Sequence, residues 1–355
     1  MRFHSFVIKK LLILLVYLAL LQVAVFAQGN DDRRNIIPVC IAYYNVENLF
    51  DTINQSGSAD ADWTPEGSYG WNTERYLEKL DRLAEVISKL GLELTPDGPA
   101  IIGLSEVENG EVVWDLARQE RIKDRNYQVV FIQGRDRRVH NAFMYNPKYF
   151  ELTHKVSMPV IMEDNPDFRT RDHLVMSGKL MGEPMHFIVA HWPSRAGGER
   201  RSLPRRIASA QAARAAIDSI KAIDPDAKII FMGDLNDDPT DPSVQRHLFT
   251  SGNKNRLEEG QLYNPFVDFH RRGVGTLAWR DSWNLFDQII LSQSLLGDDL
   301  SSFRFHRAEV FNRPFLRQPH GRFQGYPFRS FGGGVYLGGY SDHFPTYVFL
   351  IREAK

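Results

Sequence analysis

The spacing of apolar residues along the chain predicts alternating strands and helices. The segment from Pro38 to Asn45 is apolar and rich in β-branched and aromatic residues, which predicts a strand. From Thr73, apolar residues recur at helical spacing until Gly91, which predicts an amphipathic helix. The apolar face of this helix is expected to consist of Leu77, Leu80, Leu83, Ala84, Ile87 and Leu90.

Short apolar runs predict further strands, and several of them lead to a polar residue. The run AIIGLS ends directly at Glu106, and the run KIIFM leads to Asp234. Other strands are predicted at 127–132, 141–145, 174–180 and 185–190. A second helix is predicted from Pro204 to Ile223, with Ser202 as its N-cap. Several runs are apolar on both faces, which favours two packed sheets with helices outside.

The N-terminal segment differs from the rest of the chain. Three basic residues precede an apolar run from Leu11 to Phe26, which predicts a cleaved signal peptide over residues 1–27. A membrane anchor is the alternative, because the run approaches the roughly 20 residues that span a bilayer. The polar stretch QGNDDRRN that follows favours cleavage. We therefore expect a secreted or periplasmic monomer, without stable membrane insertion, folded as one domain over residues 36–355.

Charge and cysteine content exclude some classes of protein. The formal net charge is −1, and removal of the N-terminal segment lowers it to −4, because that segment carries three basic and no acidic residues. A general basic coat for nucleic acid is therefore excluded, and polyanion binding would depend on local patches. The single cysteine, Cys40, excludes an internal disulfide, and its position in a strand indicates packing.

Five scattered segments place an acid, an amide or a histidine at the end of a predicted strand. They are YNVENLF, GLSEVEN, VAHWPSR, MGDLNDDP and SDHFP. Each segment alone is weak evidence of function, because an acid after a strand is usually a cap or turn residue. Loops at strand ends are nevertheless where α/β proteins carry their sites, so the combination indicates one shared site.

In this order, the five motifs resemble those of the endonuclease/exonuclease/phosphatase superfamily, which includes deoxyribonuclease I. The resemblance covers the chain from Cys40 to Ile351. It implies a four-layer α/β sandwich of two mixed sheets and a divalent cation, Mg²⁺ or Mn²⁺, as cofactor. The positions that match the family motifs are Asn45, Glu106, His191, Asp234, Asn236, Asp287, Asp342 and His343.

Hydrolysis of a phosphate ester requires neutralisation of the phosphate charge. Carboxylate oxygens suit Mg²⁺ or Mn²⁺, which one or two protein carboxylates usually hold together with the substrate phosphate. Glu106 is the expected first ligand, with Asn45 and Asp342 near it. Glu47 follows Asn45 by two positions and so shares its strand face, where it is either a second acid near the metal or a surface acid.

The remaining motif residues fit the proton transfers of the reaction. Asp234 is expected to orient or deprotonate the attacking water, and Asn236 to donate a hydrogen bond to the developing phosphorane. His343 is expected to pair with Asp287, since a carboxylate partner fixes the tautomer of a histidine. His191 would protonate the leaving oxygen or stabilise the transition state.

One position departs from the resemblance. In some relatives, an acid on the strand that GRDRRVHNAFMY resembles partners the histidine equivalent to His191, and here His140 stands at that position. His140 cannot serve as an anion, so Asp136 is the candidate substitute. Two loop arginines, Arg195 and Arg138, are predicted to bind the substrate phosphate, because the planar guanidinium contacts two oxygens at once.

These observations leave the substrate open. The first hypothesis is a phosphodiesterase or nuclease that acts on extracellular DNA or RNA. The second is a hydrolase of the same fold for a phospholipid of the sphingomyelin type or a small phosphate ester, and the third is an inactive binding protein. Arginines interleave with aromatic residues between Arg304 and Gly339, which suits stacking on bases or packing on the sheet. That segment and YGWNTE are the two candidate loops for contact with lipid.

Overall fold

The computed structural model of the chain describes residues 35–55, 59–136 and 138–354. The predicted signal peptide lies outside the described residues. Contacts divide the chain into a unit from Ile37 to Arg352 and a small terminal unit, of which residues 35–36 and 353–354 are described. Within the described part of the chain, no helix has both the length and the apolar character that a membrane span requires.

The described residues form two large sheets, two small hairpins and four α-helices. The helices are α1 (Thr73–Lys89), α2 (Gly110–Ala117), α3 (Glu199–Ile223) and α4 (Phe266–Arg271). The strands are β1 (Ile36–Leu49), β2 (Ile101–Val107), β3 (Gln128–Phe131), β4 (His140–Tyr145), β5 (Phe150–Met158), β6 (His173–Leu180), β7 (Glu183–His191), β8 (Ile229–Asp234), β9 (Thr250–Ser251), β10 (Leu262–Tyr263), β11 (Leu277–Trp279), β12 (Ser282–Asn284), β13 (Asp287–Leu291), β14 (Arg304–Val310), β15 (Phe331–Gly332), β16 (Val335–Tyr336) and β17 (Thr346–Glu353).

The first large sheet has the strand order β14-β17-β1-β2-β4-β3 and is covered on both faces. Along β1, Cys40 and Ala42 face a core that this sheet shares with α1 and α2, whereas Ile41 and Tyr43 face the second sheet. This alternation follows from the two-residue period of a strand. Burial on both faces explains why the sequence of β1 is apolar almost without interruption.

The second large sheet has the order β5-β6-β7-β8-β13-β10-β9 and packs between the first sheet and α3. Gly103 on β2 allows the close approach of the two sheets, since a Cβ there would lie 2.5 Å from the sulfur of Met232. On the outer face, Ala213 and Ile217 of α3 pack with Ile188 and Phe231. Helices, two mixed sheets and a further helix form four layers, which confirms the predicted α/β sandwich.

The buried face of α1 differs from the predicted one, because it lacks Leu77 and includes Tyr76, Lys79 and Val86. Leu77 is 53% exposed, although the apolar spacing placed it in the core. Lys79 is buried instead, and its Nζ donates to Ser330 Oγ at 2.6 Å and to the carbonyl oxygen of Tyr340 at 2.7 Å. The buried stripe therefore runs through Tyr76, Lys79, Leu80 and Leu83. In the first turns, Tyr76 takes the buried position that was predicted for Leu77.

We expect Leu83→Ala to lower the free energy of unfolding by about 2–5 kcal/mol, because the side chain is fully buried and its loss leaves a cavity. The matched variant Leu77→Ala should change it by less than about 0.5 kcal/mol, since that leucine is exposed. Urea unfolding of the two variants measures both values. Equal losses would contradict the observed orientation of α1.

The N-terminus of α3 also differs from its prediction. The helix begins at Glu199 and continues through Pro204, so Ser202 lies within the first turns and is not the N-cap. The Ser202 hydroxyl donates to the carbonyl oxygen of Gly198 at 2.9 Å and accepts from Arg206 Nη1 at 2.8 Å. Sequence placed the start too late because a proline usually marks the first turn of a helix.

Glu183, the first residue of β7, joins the two large sheets by ion pairs. Its carboxylate accepts from Lys228 Nζ at 2.5 Å, beside β8, and from Arg352 Nη1 at 2.9 Å, on β17. Burial alone would raise the pKa of Glu183, but the hydrogen bonds from Lys228 and Arg352 lower it from 4.5 to about 2. The folded state therefore favours the ionised carboxylate.

The stability that Glu183 contributes should consequently be present above about pH 4.5 and be lost as the pH falls towards about 2. Glu183→Gln should lower the free energy of unfolding at pH 7 by about 1–2 kcal/mol, since solvent screens part of the carboxylate. Chemical unfolding between pH 2 and pH 7 measures this. The exposed Glu151→Gln on β5 is the control, and identical pH profiles for the two variants would contradict the expectation.

Candidate active site

Three polar side chains of the second sheet lie in one row at its edge. β7 ends at His191 and the parallel strand β8 ends at Asp234, and the two residues are direct partners. β13 is antiparallel to β8 and begins at Asp287, which is also paired with Asp234. Strand direction and register therefore bring three residues from distant parts of the sequence together.

The first sheet adds two residues from neighbouring strands. Asn45 on β1 pairs with Ser105 on β2, and Glu106 follows immediately. Asn45 Nδ2 donates to Glu106 Oε1 at 3.1 Å and to Asp234 Oδ2 at 3.0 Å, so one amide connects the two sheets. Its oxygen accepts from the backbone N–H of Glu47 at 3.0 Å.

This arrangement gives Asn45 a positioning role, and its predicted role as a metal ligand stays a prediction. Its amide oxygen faces a backbone N–H, and its N–H groups face two carboxylates. A rotated amide would set its oxygen against both carboxylates, which is repulsive. Asn45 is therefore a positioning residue that fixes Glu106 and Asp234.

The backbone around these residues is strained. Glu47, Asn48, Glu106 and Asn236 all have φ between +49° and +66°, in the left-handed region that non-glycine residues rarely adopt. At Asn48 this conformation directs the N–H to Glu106 Oε2 at 2.9 Å. Strain of this kind persists where the surrounding structure holds it, and it is common at functional sites.

His343 and Asp287 form a hydrogen-bonded pair, with His343 Nδ1 and Asp287 Oδ2 2.7 Å apart. His343 Nε2 then faces the site, 3.9 Å from Asp234 Oδ2 and 3.9 Å from Asp342 Oδ1. Burial would lower the pKa of His343, but the negative charges of Asp287 and Asp234 outweigh it and hold the pKa well above its usual value. These charges therefore favour the protonated form of His343.

The pKa of the second histidine, His191, is shifted in the opposite direction. His191 Nε2 lies 3.5 Å from Asp234 Oδ2 and 3.8 Å from Glu106 Oε1. Burial, followed by the positive charges of Arg171 and His343, holds the pKa of His191 well below its usual value. The pKa values of the two histidines thus shift in opposite directions, which is a common basis for separate acid and base roles.

The substitute partner expected for His191 is not observed. Asp136 Oδ1 accepts from the backbone N–H of Arg138 at 2.8 Å and from that of Val139 at 3.3 Å. His191 Nδ1 has no hydrogen-bond partner among the residues that the structure describes. His140 contacts Gln133, with the two Nε2 atoms 2.8 Å apart. Asp136 is consequently a loop-capping residue.

The donor set at the centre fits a divalent cation. Glu106, His191 and Asp234 each offer one atom within 4.8 Å of the others, and so do Asp234, Asp287 and His343. Burial raises the pKa of Asp234 to about 7, with further contributions from Asp287 and Glu106. Carboxylates held together in this way repel one another, and a hard cation that takes oxygen ligands relieves the repulsion.

Glu47 lies in an ion-pair network that neighbours the site, and its predicted role as a second acid near the metal stays a prediction. Its carboxylate accepts from the backbone N–H of Ser330 at 2.6 Å, and lies 3.8 Å from Lys79 Nζ and 3.4 Å from Arg329 Nε. The left-handed φ at Glu47 breaks the two-residue alternation on which the prediction depended. Arg329 connects this network to the site, since its Nη2 donates to Asp342 Oδ2 at 2.8 Å.

Arg195 is bound to the protein's own acids and backbone. Its guanidinium contacts Asp237 at 3.2 Å and Asp241 at 2.7 Å, and donates to the carbonyl oxygen of Asn236 at 2.9 Å. These acids offset its charge, and its predicted contact with a substrate phosphate stays a prediction. Arg138 is exposed, and its predicted contact with substrate stays a prediction.

Asn236 lies at the site with one N–H already used, since its Nδ2 donates to the carbonyl oxygen of Trp192 at 3.0 Å. The same oxygen accepts from Arg171 Nη2 at 2.7 Å, so Arg171 is held beside the motif residues.

The sequence reasoning missed Arg171, Lys79 and Arg329. A signal existed for Lys79, because a lysine inside the apolar stripe of a helix must find a partner when buried. For Arg329 the sequence contained six arginines in one segment and nothing that distinguished this one.

The chain was compared with known proteins. The profile of the endonuclease/exonuclease/phosphatase family matches residues 40–352. No curated protein matches the sequence significantly.

Several solved structures share the fold. A family protein from Bacteroides thetaiotaomicron is 18% identical, with a TM-score of 0.54, and the match covers 90% of this chain and 97% of that one. TDP2 from D. rerio, complexed with a single-strand DNA product, is 14% identical, with a TM-score of 0.53 over 88% of this chain and 98% of that one. A mannosyl-6-phosphatase from B. thetaiotaomicron is 18% identical, with a TM-score of 0.50 over 88% and 99%. With the family match spanning nearly all of the described unit, the chain belongs to the endonuclease/exonuclease/phosphatase family.

Proposed function

We propose that this phosphoesterase is a secreted, divalent-metal-dependent hydrolase of phosphodiesters, in which water attacks phosphorus in line with the leaving oxygen. The observation that carries the proposal is the convergence of two sheets on one acidic centre. Asn45 connects Glu106 and Asp234 across that centre, and the His343–Asp287 pair borders it. Family membership supports the reaction class.

Glu106 is the proposed metal ligand, with Asp342 next to it. A bound Mg²⁺ or Mn²⁺ would neutralise charge on the phosphoryl oxygens and so favour attack by a nucleophile. The contribution of the protein is to hold Glu106 in place. Asn45 donates to one of its oxygens and the backbone N–H of Asn48 donates to the other.

Asp234 is the proposed group that orients the water and accepts its proton. Its pKa, raised to about 7 by burial, suits a group that gains and loses a proton near neutral pH. Asn45 Nδ2 holds Asp234 Oδ2, and the backbone N–H of Asn236 holds Oδ1 at 3.0 Å. The carboxylate is therefore fixed before substrate binds, which lowers the cost of orienting the water.

His343 is the proposed acid that protonates the leaving oxygen. Asp287 engages Nδ1, so the proton on Nε2 is directed at the substrate. His191, neutral and 3.5 Å from Asp234, is proposed to donate a hydrogen bond to a phosphoryl oxygen. Asn236 would donate its second N–H in the same way.

The alternatives for the substrate differ in what supports them. A single-strand DNA product occurs in one structural neighbour, and a sugar phosphatase is another, so the fold alone does not choose. The segment YGWNTE was one of the two candidate loops for contact with lipid. Its Trp71 is fully buried and cannot insert into a membrane, which weakens the lipid alternative. An inactive binding protein is disfavoured because every principal motif position is filled.

Hydrolysis assays test the proposal with plasmid DNA, RNA, bis-p-nitrophenyl phosphate, p-nitrophenyl phosphate and sphingomyelin, each with Mg²⁺, Mn²⁺ or EDTA. Cleavage of a diester that requires metal, and that Glu106→Ala abolishes, is the expected result. Glu111→Ala, an exposed acid on α2, is the matched control and should behave as the natural protein. Activity that persists in EDTA, or cleavage of monoesters alone, would overturn the proposal. Cleavage of sphingomyelin alone would keep the reaction class and favour the lipid alternative for the substrate.

A further inference from the structure

A cleft of about 390 Å³ opens beside the candidate active site. One wall is the β11–β12 hairpin, and the other is the segment 318–337. Arg329 and Asp342 line its inner end, so the cleft begins one residue from His343. A substrate whose phosphate reached the active site could extend directly into this space.

The two walls of the cleft are joined to each other and to the site. Tyr326 Oη donates to Asp281 Oδ1 at 2.7 Å and accepts from the backbone N–H of Asp281 at 2.8 Å. Trp283 on β12 stacks on Phe344, with ring centroids 6.1 Å apart and planes 16° from parallel. The hairpin is therefore anchored next to His343, which fixes the position of the cleft relative to the reacting groups.

The turn of the hairpin is strained. Arg280 and Asp281, at φ +49° and +64°, both adopt left-handed backbone that a two-residue hairpin turn usually assigns to Asn-Gly. The bonds between Asp281 and Tyr326 hold this conformation. Strain held by specific contacts is more typical of binding loops than of simple connections.

The rim of the cleft exposes two aromatic rings. Trp279 is 64% exposed and Phe323 is 54% exposed, although large apolar side chains are usually buried. The guanidinium of Arg280 lies 5.7 Å from the Trp279 ring, and that of Arg322 lies 5.6 Å from the Phe323 ring. Exposed rings beside guanidinium planes provide stacking surfaces for a flat aromatic ligand.

We propose that this cleft binds the nucleoside of a nucleotide ester, with the base stacked on Trp279 or Phe323 and its phosphate in the active site. The inference rests on the proposed hydrolysis of phosphate esters. A volume of 390 Å³ lies within the range of small-ligand sites, so the cleft takes one nucleoside and not a duplex. Flat stacking surfaces match a planar base better than the puckered ring of a sugar.

Two chromogenic diesters that differ only in the group at issue test the proposal. Thymidine 5′-(p-nitrophenyl phosphate) and methyl p-nitrophenyl phosphate release the same p-nitrophenolate. We expect kcat/KM for the thymidine ester to exceed that for the methyl ester by about tenfold or more, the range that stacking of one base provides. Trp279→Ala and Phe323→Ala should each lower this ratio by about fivefold or more, mainly through KM.

Ile161→Ala, which truncates an exposed apolar side chain outside the cleft, is the control and should keep the ratio of the natural protein. A ratio near one, or a ratio that both aromatic variants leave unchanged, would overturn the proposal. A fall in the ratio of the two kcat/KM values in Ile161→Ala would also count against the proposal.

Calorimetric binding separates failure of the cleft from failure of the catalytic proposal. Thymidine 5′-monophosphate should bind about tenfold or more tightly than ribose 5-phosphate, and Trp279→Ala should reduce the difference. If neither ester is hydrolysed and this binding preference is present, the cleft proposal stands and the catalytic proposal fails. Equal binding of the two ligands, or a preference for mannose 6-phosphate, would overturn the cleft proposal.

Discussion

Replacing Glu106 with glutamine is expected to lower kcat/KM for a phosphodiester by about 10³-fold, because loss of a metal-binding carboxylate removes several kcal/mol of transition-state stabilisation. Glutamine keeps the shape of the side chain, but its single amide oxygen can accept from either Asn45 Nδ2 or the backbone N–H of Asn48, and not from both as the carboxylate does. The loss should therefore come from the missing charge and the missing hydrogen bond. Initial rates across a series of Mg²⁺ concentrations measure it, together with the metal concentration for half-maximal rate.

The half-maximal Mg²⁺ concentration of Glu106→Gln should rise at the same time, because fewer charges hold the cation. Glu111→Gln, on the exposed first turn of α2, controls for the loss of one negative charge. A Glu106→Gln protein that keeps kcat/KM within tenfold of the natural protein at saturating Mg²⁺ would contradict the assignment of this residue.

Disruption of the His343–Asp287 pair has the second large expected effect. Asp287→Asn should lower kcat by about 10²–10⁴-fold, because asparagine cannot hold the imidazolium and its tautomer as a carboxylate does. His343→Gln should cost a similar factor, since it removes the proposed acid itself. The two residues act through one hydrogen bond of 2.7 Å, so their effects should not add.

The double variant tests that dependence. If the pair acts as a unit, the kcat of the double variant Asp287→Asn/His343→Gln should lie within about threefold of the kcat of the slower single variant. Multiplicative losses would show that the two residues contribute independently and would contradict the pairing. Asp268→Asn on α4, which is exposed, controls for general effects of the substitution.

Much of the fold follows from local pattern. The doubly buried strand β1 is an almost continuous apolar run, the amphipathic helix α1 has a clear helical period, and the structure contains both. The row of His191, Asp234 and Asp287 was also accessible from sequence, because each residue begins or ends an apolar run. What sequence could not give is the register that makes these three residues direct neighbours.

The errors share a physical cause, which is that side-chain partners depend on tertiary contacts. Glu47 left its predicted face because the backbone at Glu47 and Asn48 adopts positive φ, and nothing in the local sequence requires this. Arg195 is held within the protein because Asp237 of the MGDLNDDP motif and Asp241, two residues after the motif, contact it across 42 and 46 residues. Residue type predicts the charge and hydrogen-bonding capacity of these groups, but not the atoms that they contact.

The measurement that tests the central claim most directly is hydrolysis of a phosphodiester in ¹⁸O-labelled water, followed by ³¹P NMR of the products. The account predicts that one ¹⁸O atom enters the phosphate product in each turnover with Mg²⁺, and that the reaction stops with EDTA. It also predicts that Glu106→Gln slows the same incorporation in proportion to its loss of rate. Label found in the alcohol and not in the phosphate, or label incorporated at an unchanged rate in EDTA, would contradict the account.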